Sequence, residues 1–326
     1  MSVDAKILTA MRAAGEGSVA GTELSDMLGI SRAAIWARIE ELRTLGYEIA
    51  ASPHRGYRLL SAPDVLHGDD LVSRLGDVAV IGRDIRVFRE TESTNDIVEK
   101  LARDDVAEGV VVFAESQTKG RGRLGRKWMS PPDKGLWFSM LLRPDGPPQS
   151  VTRLTIAVAV SLTRAIEKET GIRADIKWPN DILIRGRKAA GILTELSAEV
   201  DHVKHVVIGI GMDVNLTEAE LPADLMGIAT SLRIESGGKV NRPALAAGLL
   251  RELDEDYARL RNGRFAALRD EWEERCYTIG KRVSIVVGAT RKRGVAESLD
   301  EDGALMLRTE HGRLERITGG DVSVEK

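Results

Sequence analysis

"ADIKWPNDILIRGRKAAGILTELSAEVDHVKHVVIGIGMDV", residues 174–214, holds four strand-like runs with no helical period between them. ADIKW and DILIR are apolar runs on either side of the turn residues Pro179-Asn180-Asp181. KAAGILTELS alternates, and HVVIGIGMDV is almost continuously apolar. Upstream, IRVFRE, GVVVFAE and LWFSMLLRP read as further strands, with a helix over 94–102 between the first two. A long amphipathic helix follows over 151–170. Two more come after the strand run, one opening at the cap Asn241 with Pro243 in its first turn, the other over 263–276. Strands in runs, with helices in separate blocks, predict an α+β domain built on a mixed or largely antiparallel sheet.

The chain has different periods on either side of this block. Residues 1–62 give a helix over 5–14, a short helix through Leu28 with Thr22 as its expected cap, and a helix over 32–45 capped by Ser31 and stopped by Gly46. Ile35, Ile39 and Leu42 form the buried stripe of that last helix. YEIA and YRLL around SPHRG then make a hairpin. Three helices and a wing predict a winged helix-turn-helix. Ser31, Arg32, Ala33, Trp36 and Arg38 on the helix, with Arg55 on the wing, fall where DNA contacts belong. Seven cations against seven anions in residues 1–62 give one such domain little attraction for phosphate, so DNA binding is expected to need a dimer. SAPDVLHGDD reads as a linker. From Tyr277 onward, short strands punctuated by Gly and Asp turns predict an SH3-like barrel. The resulting boundaries are 1–62, 63–276 and 277–326.

A chain of 326 residues with 43% hydrophobic residues and no apolar run of transmembrane length is expected to be soluble. One cysteine, Cys276, excludes an internal disulfide framework and suits a reducing cytoplasm; it reads as a packing residue near a helix end. His202 and His205 lack neighbouring ligand types and read as a solvated loop pair. With a net charge of -3, any anion site must be local.

KGRGRLGRKW, residues 119–128, is the densest candidate, with five cations and three glycines in ten residues. It lacks the Lys-Ser/Thr ending of a phosphate-binding P-loop. Its glycines let backbone approach a ligand and let the loop open and close. Glu92-Ser93-Thr94-Asn95 opens a helix, at least as a cap and also as a polar cradle for a ligand head. KWPND brings Asp181 to a turn, where a carboxylate can face a nucleotide-bound cation. Lys188 begins a strand beside the small residues Ala189, Ala190 and Gly191.

Together, and in this order, ESTN, GRGRLGRKW, KWPND, GRKAAGIL and GIGMDVN resemble the biotin–protein ligases, of the bifunctional kind that also represses transcription. The resemblance spans nearly the whole chain. It implies that Ser93, Thr94, Asn95, Gln117, Arg121, Gly122, Arg123 and Lys188 hold biotin. It places Arg123, Trp128, Asn180, Asp181 and Asp213 near the nucleotide, with Asp181 toward Mg2+ and Lys188 and Arg123 as catalytic cations. It further implies ATP as co-substrate, biotinyl-5'-AMP as intermediate and corepressor, a biotin carboxyl carrier protein and operator DNA as partners, and a homodimer. The family pattern has Ile-Asn where this chain has Met212-Asp213. The alternatives are a lipoate–protein ligase, against which the winged helix and ESTN count, and a ligand-sensing regulator without turnover, against which Lys188 and the basic loop count.

Overall fold

The computed structural model describes residues 1–325 and divides into two compact units. The first comprises 1–77 with 241–247; the second comprises 78–240 with 248–326.

In the first unit, α1 (Val3–Ala13), α2 (Gly21–Leu28) and α3 (Arg32–Thr44) lead into the hairpin β1 (Glu48–Ser52) and β2 (Gly56–Ser61). Ile7, Leu8 and Met11 of α1 bury against Leu24, Ile35, Ile39 and Leu42. Ser31 caps α3 by accepting from the Ala34 amide, and Gly46 takes the left-handed φ of 94° that ends it. Thr22 is not a cap: α2 begins at Gly21 after Ala20, without a side-chain cap. The stretch read as a linker is also ordered differently. Its last three residues, Gly68, Asp69 and Asp70, open α4 (Gly68–Leu75), and the compact unit runs on to Asp77. Asp69-Asp70 looked solvated in sequence. Asp70 is buried because Arg12 and Arg74 both pair with it.

The second unit is built on a seven-stranded mixed sheet. Its elements are β3 (Asp84–Thr91), α5 (Thr94–Arg103), β4 (Val110–Gln117), β5 (Gly135–Leu142), α6 (Val151–Thr170), β6 (Asp175–Lys177), β7 (Asp181–Ile184), β8 (Arg187–Ala198) and β9 (Val203–Asp213), then α7 (Leu232–Ser236), α8 (Arg242–Arg261, from Gly248 onward in this unit) and α9 (Phe265–Glu274). The strand order is β3-β4-β5-β9-β8-β7-β6. Only β3 and β4 run parallel, and α5 is the crossover that such a pair requires. β5 is buried along its whole length, so it reads as an unbroken apolar run. Arg164 of α6, half-buried, is anchored to Asp256 of α8 and Glu271 of α9, which ties the three helices together.

β10 (Arg282–Val287), β11 (Thr290–Leu299), β12 (Leu305–Thr309), β13 (Leu314–Ile317) and β14 (Asp321–Val324) form an antiparallel sheet in the order β13-β12-β11-β10-β14. This small β domain belongs to the same compact unit as the large sheet. The Trp178 amide donates to Thr278 at 3.2 Å, and Glu273 accepts from the Leu299 amide at 2.6 Å.

One single-residue expectation changes and another holds. His205 is a buried strand residue of β9, with Nε2 2.8 Å from Glu99, not part of a solvated loop pair. Cys276 does pack after α9; its sulfur accepts from the Thr278 and Ile279 amides, and burial pushes the thiol up to about 11. Among the described residues no helix is long and apolar enough to cross a membrane.

Candidate active site

The chain folds β4, β5, β8 and β9 so that their ends, the basic loop and the β6–β7 turn surround one cavity of about 260 Å³. Ser93, Thr94, Asn95, Gln117, Arg121, Gly122, Arg123, Trp128, Asn180, Asp181, Lys188 and Asp213 all line it. These residues come from five separate stretches.

One wall is a chain of polar groups at the start of α5. Gln117 Oε1 accepts from the Thr94 amide at 2.9 Å, and Thr94 Oγ1 lies 2.6 Å from Ser139 Oγ. Ser139 in turn donates to Asn95 Oδ1 at 2.5 Å, while Asn95 Nδ2 donates to Glu195 at 2.7 Å. Ser93 occupies the cap position, yet its hydroxyl makes no cap bond, contrary to the helix-cap reading. It is buried and lines the cavity. A helix N-terminus whose first amide is satisfied by Gln117 leaves the Ser93 hydroxyl available for a polar ligand head.

The basic loop is a small hairpin. Gly122 donates to the Arg126 carbonyl at 2.7 Å and Trp128 to the Gly120 carbonyl at 2.9 Å. Its tip, Leu124 and Gly125, carries left-handed φ values of 57° and 72°, and Leu124 is 76% exposed. Its cations divide by role. Arg121 pairs with Glu195 at 3.0 Å and Asp96 at 2.7 Å, which fastens the loop to β8 and α5. Arg126 pairs with Asp321 of β14. Arg123 turns into the cavity and donates to Asn180 Oδ1 at 3.1 Å; burial holds its guanidinium below the usual arginine range, with Asp181 and Asp321 opposing that shift.

Lys188 Nζ lies 2.6 Å from Asp181 and 5.1 Å from the centre of the Trp128 ring. Trp128 itself packs so closely on β9 that a Cβ at Gly211 would sit 2.6 Å from its indole, whose buried N–H has no hydrogen-bond partner among the described residues. Asn95 similarly lies over Gly209, where a Cβ would come within 2.1 Å of Oδ1. The sequence reading gave no sign that Gly209 and Gly211 make room for Asn95 and Trp128. It also missed Ser139, Glu195 and the apolar wall of Leu216, Leu221, Leu225, Ile228 and Ala229. Among the described residues no three His, Cys, Asp or Glu gather to hold a metal ion.

Such a cavity offers hydrogen bonds at one end and cations beside a flat aromatic at the other. Three family models match the chain. They are an HTH domain over residues 5–58, the biotin/lipoate A/B protein ligase family over 87–213 and the biotin protein ligase C terminal domain over 278–324. The chain is 38% identical over 312 residues to the bifunctional ligase/repressor BirA of Bacillus subtilis, with 95% of each covered. The chain belongs to the bifunctional biotin–protein ligases. The BirA of Escherichia coli is 30% identical over 318 residues, covering 97% of the ligase described here and 96% of its own length. A biotin protein ligase from Aquifex aeolicus, solved with biotin and ATP, superposes with a TM-score of 0.64 at 30% identity, covering 75% of this ligase and 99% of that chain.

In the first unit the ligase presents Ser31, Arg32, Ala33 and Trp36 on one exposed face of α3, and Arg55 on the exposed wing. Trp36 is 58% exposed. Arg38 is engaged elsewhere: it donates to both Asp4 oxygens, at 2.7 and 2.5 Å, and pairs with Glu41. Its guanidinium braces α3 against α1.

Proposed function

We propose that the chain activates biotin with ATP as biotinyl-5'-AMP and transfers biotin to a lysine of a biotin carboxyl carrier protein. The same adenylate serves as corepressor for binding of operator DNA by a homodimer in the cytoplasm. The observation that carries the catalytic reading is the convergence of twelve residues, from five separate stretches, on one cavity that Arg123 and Lys188 both line.

In the first step the biotin carboxylate attacks the α-phosphorus of ATP, and the bond to pyrophosphate breaks. Two anions must meet, so fixed cations lower the barrier by offsetting repulsion and developing charge. Lys188 is aimed by Asp181 and Trp128, and Arg123 by Asn180. The polar wall from Ser93 to Gln117 suits the ureido end of biotin, because it supplies donors and acceptors in a recess lined by the buried Ser93, Thr94 and Asn95. In the second step the carrier lysine amine attacks the anhydride carbonyl, AMP leaves, and the amine proton is lost. The enzyme supplies no nucleophile, which agrees with a half-buried Cys276 whose thiol is pushed up to about 11. Magnesium belongs to the nucleotide substrate here. Asp181, already paired to Lys188, can add one protein oxygen to an ion held by the phosphates. The experiment that tests this reading is formation of biotinyl-adenylate from biotin, ATP and magnesium, followed by labelling of a carrier domain.

Arg123→Gly is expected to shorten retention of the adenylate by about tenfold or more, since a charge-assisted contact contributes roughly 1.5–3 kcal/mol. Adenylate would then escape and acylate stray amines. An unchanged dissociation rate, measured by chase with unlabelled biotin, would refute this role.

For the DNA face, Arg32→Ala is expected to weaken operator binding and lower the slope of log affinity against log salt by about one. Arg38→Ala should instead lower the melting temperature, because it frees Asp4, which is itself buried. Equal effects of the two substitutions on the salt slope would contradict this division.

A further inference from the structure

Among the described residues Trp36 is the one exposed tryptophan; Trp137, Trp178 and Trp272 are buried, and Trp128 lines the ligase cavity. Trp36 stands on α3 with Ala33 one turn before it and Ala37 beside it. The three form an apolar strip on the solvent side of the helix, opposite the buried Ile35, Ile39 and Leu42. The polar side chains around this strip are already engaged. Ser31 Oγ accepts from the Ala34 amide at 3.2 Å, and Thr44 Oγ1 donates to the Glu41 carbonyl at 2.7 Å. Glu40 pairs with Arg43 and Glu41 with Arg38, both at 2.6 Å. The helix sequence RAAIWARIEELRT holds no Asn, Gln or Lys that could read a base edge by hydrogen bonds.

Arg32 is the exception on this helix, and its place suits a phosphate. A Cβ built at Gly21 would lie 4.0 Å from Arg32 Nε, so this side chain sits beside the first turn of α2. That helix begins after Ala20 without a side-chain cap, which leaves early amides of the turn with no side-chain acceptor. A cation beside such amides is the arrangement that holds a backbone phosphate and sets register. Arg32 therefore positions the helix, and Ala33, Trp36 and Ala37 are what remains to face the bases.

We propose that α3 reads its DNA half-site through thymine methyl groups, with Trp36 as the specificity-determining residue and Ala33 and Ala37 flanking it. The proposal rests on the reading of the first unit as a DNA-binding domain, which the HTH family model over residues 5–58 supports. In the major groove thymine alone presents a methyl group; the other bases present donors and acceptors. Such an edge pressed against Trp36 and two alanines loses water without gaining a hydrogen bond, whereas a thymine methyl gains burial. The indole N–H is a donor only, and it matches thymine O4, the acceptor next to that methyl. Selection therefore acts in both directions, by covering the right base and leaving the wrong one unsatisfied. The balance of seven cations and seven anions in residues 1–62 fits this division. Phosphate supplies little of the attraction, so contact that depends on sequence carries a larger share.

The test uses the full chain with biotin, ATP and magnesium, and a duplex that it enriches from a random-sequence library. The duplex is resynthesised with deoxyuridine in place of thymidine, which removes the methyl groups and keeps every hydrogen-bonding group. A buried methyl is worth roughly fourfold in affinity, so loss of two or more contacts should weaken binding by about tenfold or more. The slope of log affinity against log salt should not change, because no phosphate contact is touched. Trp36→Ala should bind the thymine duplex at the weaker level and lose most of the distinction between the two duplexes. Trp36→Phe keeps a ring and should still distinguish them. Both variants should keep the parent melting temperature, since Trp36 is exposed. Equal affinity of the unaltered chain for the two duplexes, or an undiminished ratio in Trp36→Ala, overturns the inference and leaves DNA binding standing. A Trp36→Ala chain that keeps that ratio but sediments as a smaller species assigns the strip to a protein contact instead. Failure to enrich any duplex overturns both the inference and the DNA-binding reading.

Discussion

Lys188→Ala is expected to slow adenylate formation by roughly 10²–10³-fold at saturating biotin and ATP, the range found when one preorganised donor to developing charge is removed. The reasoning starts from position. The ammonium lies 2.6 Å from Asp181 and over the Trp128 ring, on a strand whose following residues, Ala189 and Ala190, are buried. It is therefore held in place before substrate arrives, and none of its stabilisation is spent on reorganisation. Deleting it also leaves Asp181 without its ion-pair partner in a cavity that must hold two anionic substrates. Lys188 is partly exposed to the cavity, so its loss should lower stability far less than turnover. Single-turnover kinetics per folded molecule, with thermal unfolding alongside, separates the two effects. A lower melting temperature with unchanged turnover would assign Lys188 a structural role only.

Gly209→Ala is expected to weaken biotin binding by roughly 10²-fold, the cost that a displacement of about 1 Å can impose on a positioned site. An added Cβ would stand 2.1 Å from Asn95 Oδ1. Asn95 cannot simply turn aside, because it is buried and bonded to Ser139 on one end and Glu195 on the other. Its movement would disturb Ser139, hence Thr94 and Gln117, and release Glu195 from its place beside Arg121. The methyl group therefore acts on both the recess and the loop. Fluorescence or calorimetric titration of biotin measures it; an unchanged dissociation constant would show that the polar wall does not hold biotin.

The contrast between these two residues shows what the sequence made legible. Lys188 stood out because a cation at the head of a small-residue strand is unusual, and the basic loop because its charge density is. The β-strands and the stripe Ile35, Ile39, Leu42 followed from periodicity, which depends on each element's own buried face. Gly209 was invisible as a site residue, since no pattern within β9 says that Asn95, more than a hundred positions earlier, packs over it. Glu195 sat on an alternating strand like any solvated residue, though it holds both Asn95 and Arg121. Charge misled in the same way elsewhere. Asp70 suggested a solvated linker and His205 a loop, yet each is satisfied by a partner distant in sequence. Local periodicity survives in one dimension; the pairing of polar groups across elements does not.

The most direct test of the central claim is transfer of radiolabelled biotin to a carrier domain by the purified chain with ATP and magnesium. The account predicts one label per carrier, on a single lysine, with AMP and pyrophosphate released and no label left covalently on the enzyme. Folded protein that binds biotin but labels no carrier would contradict it.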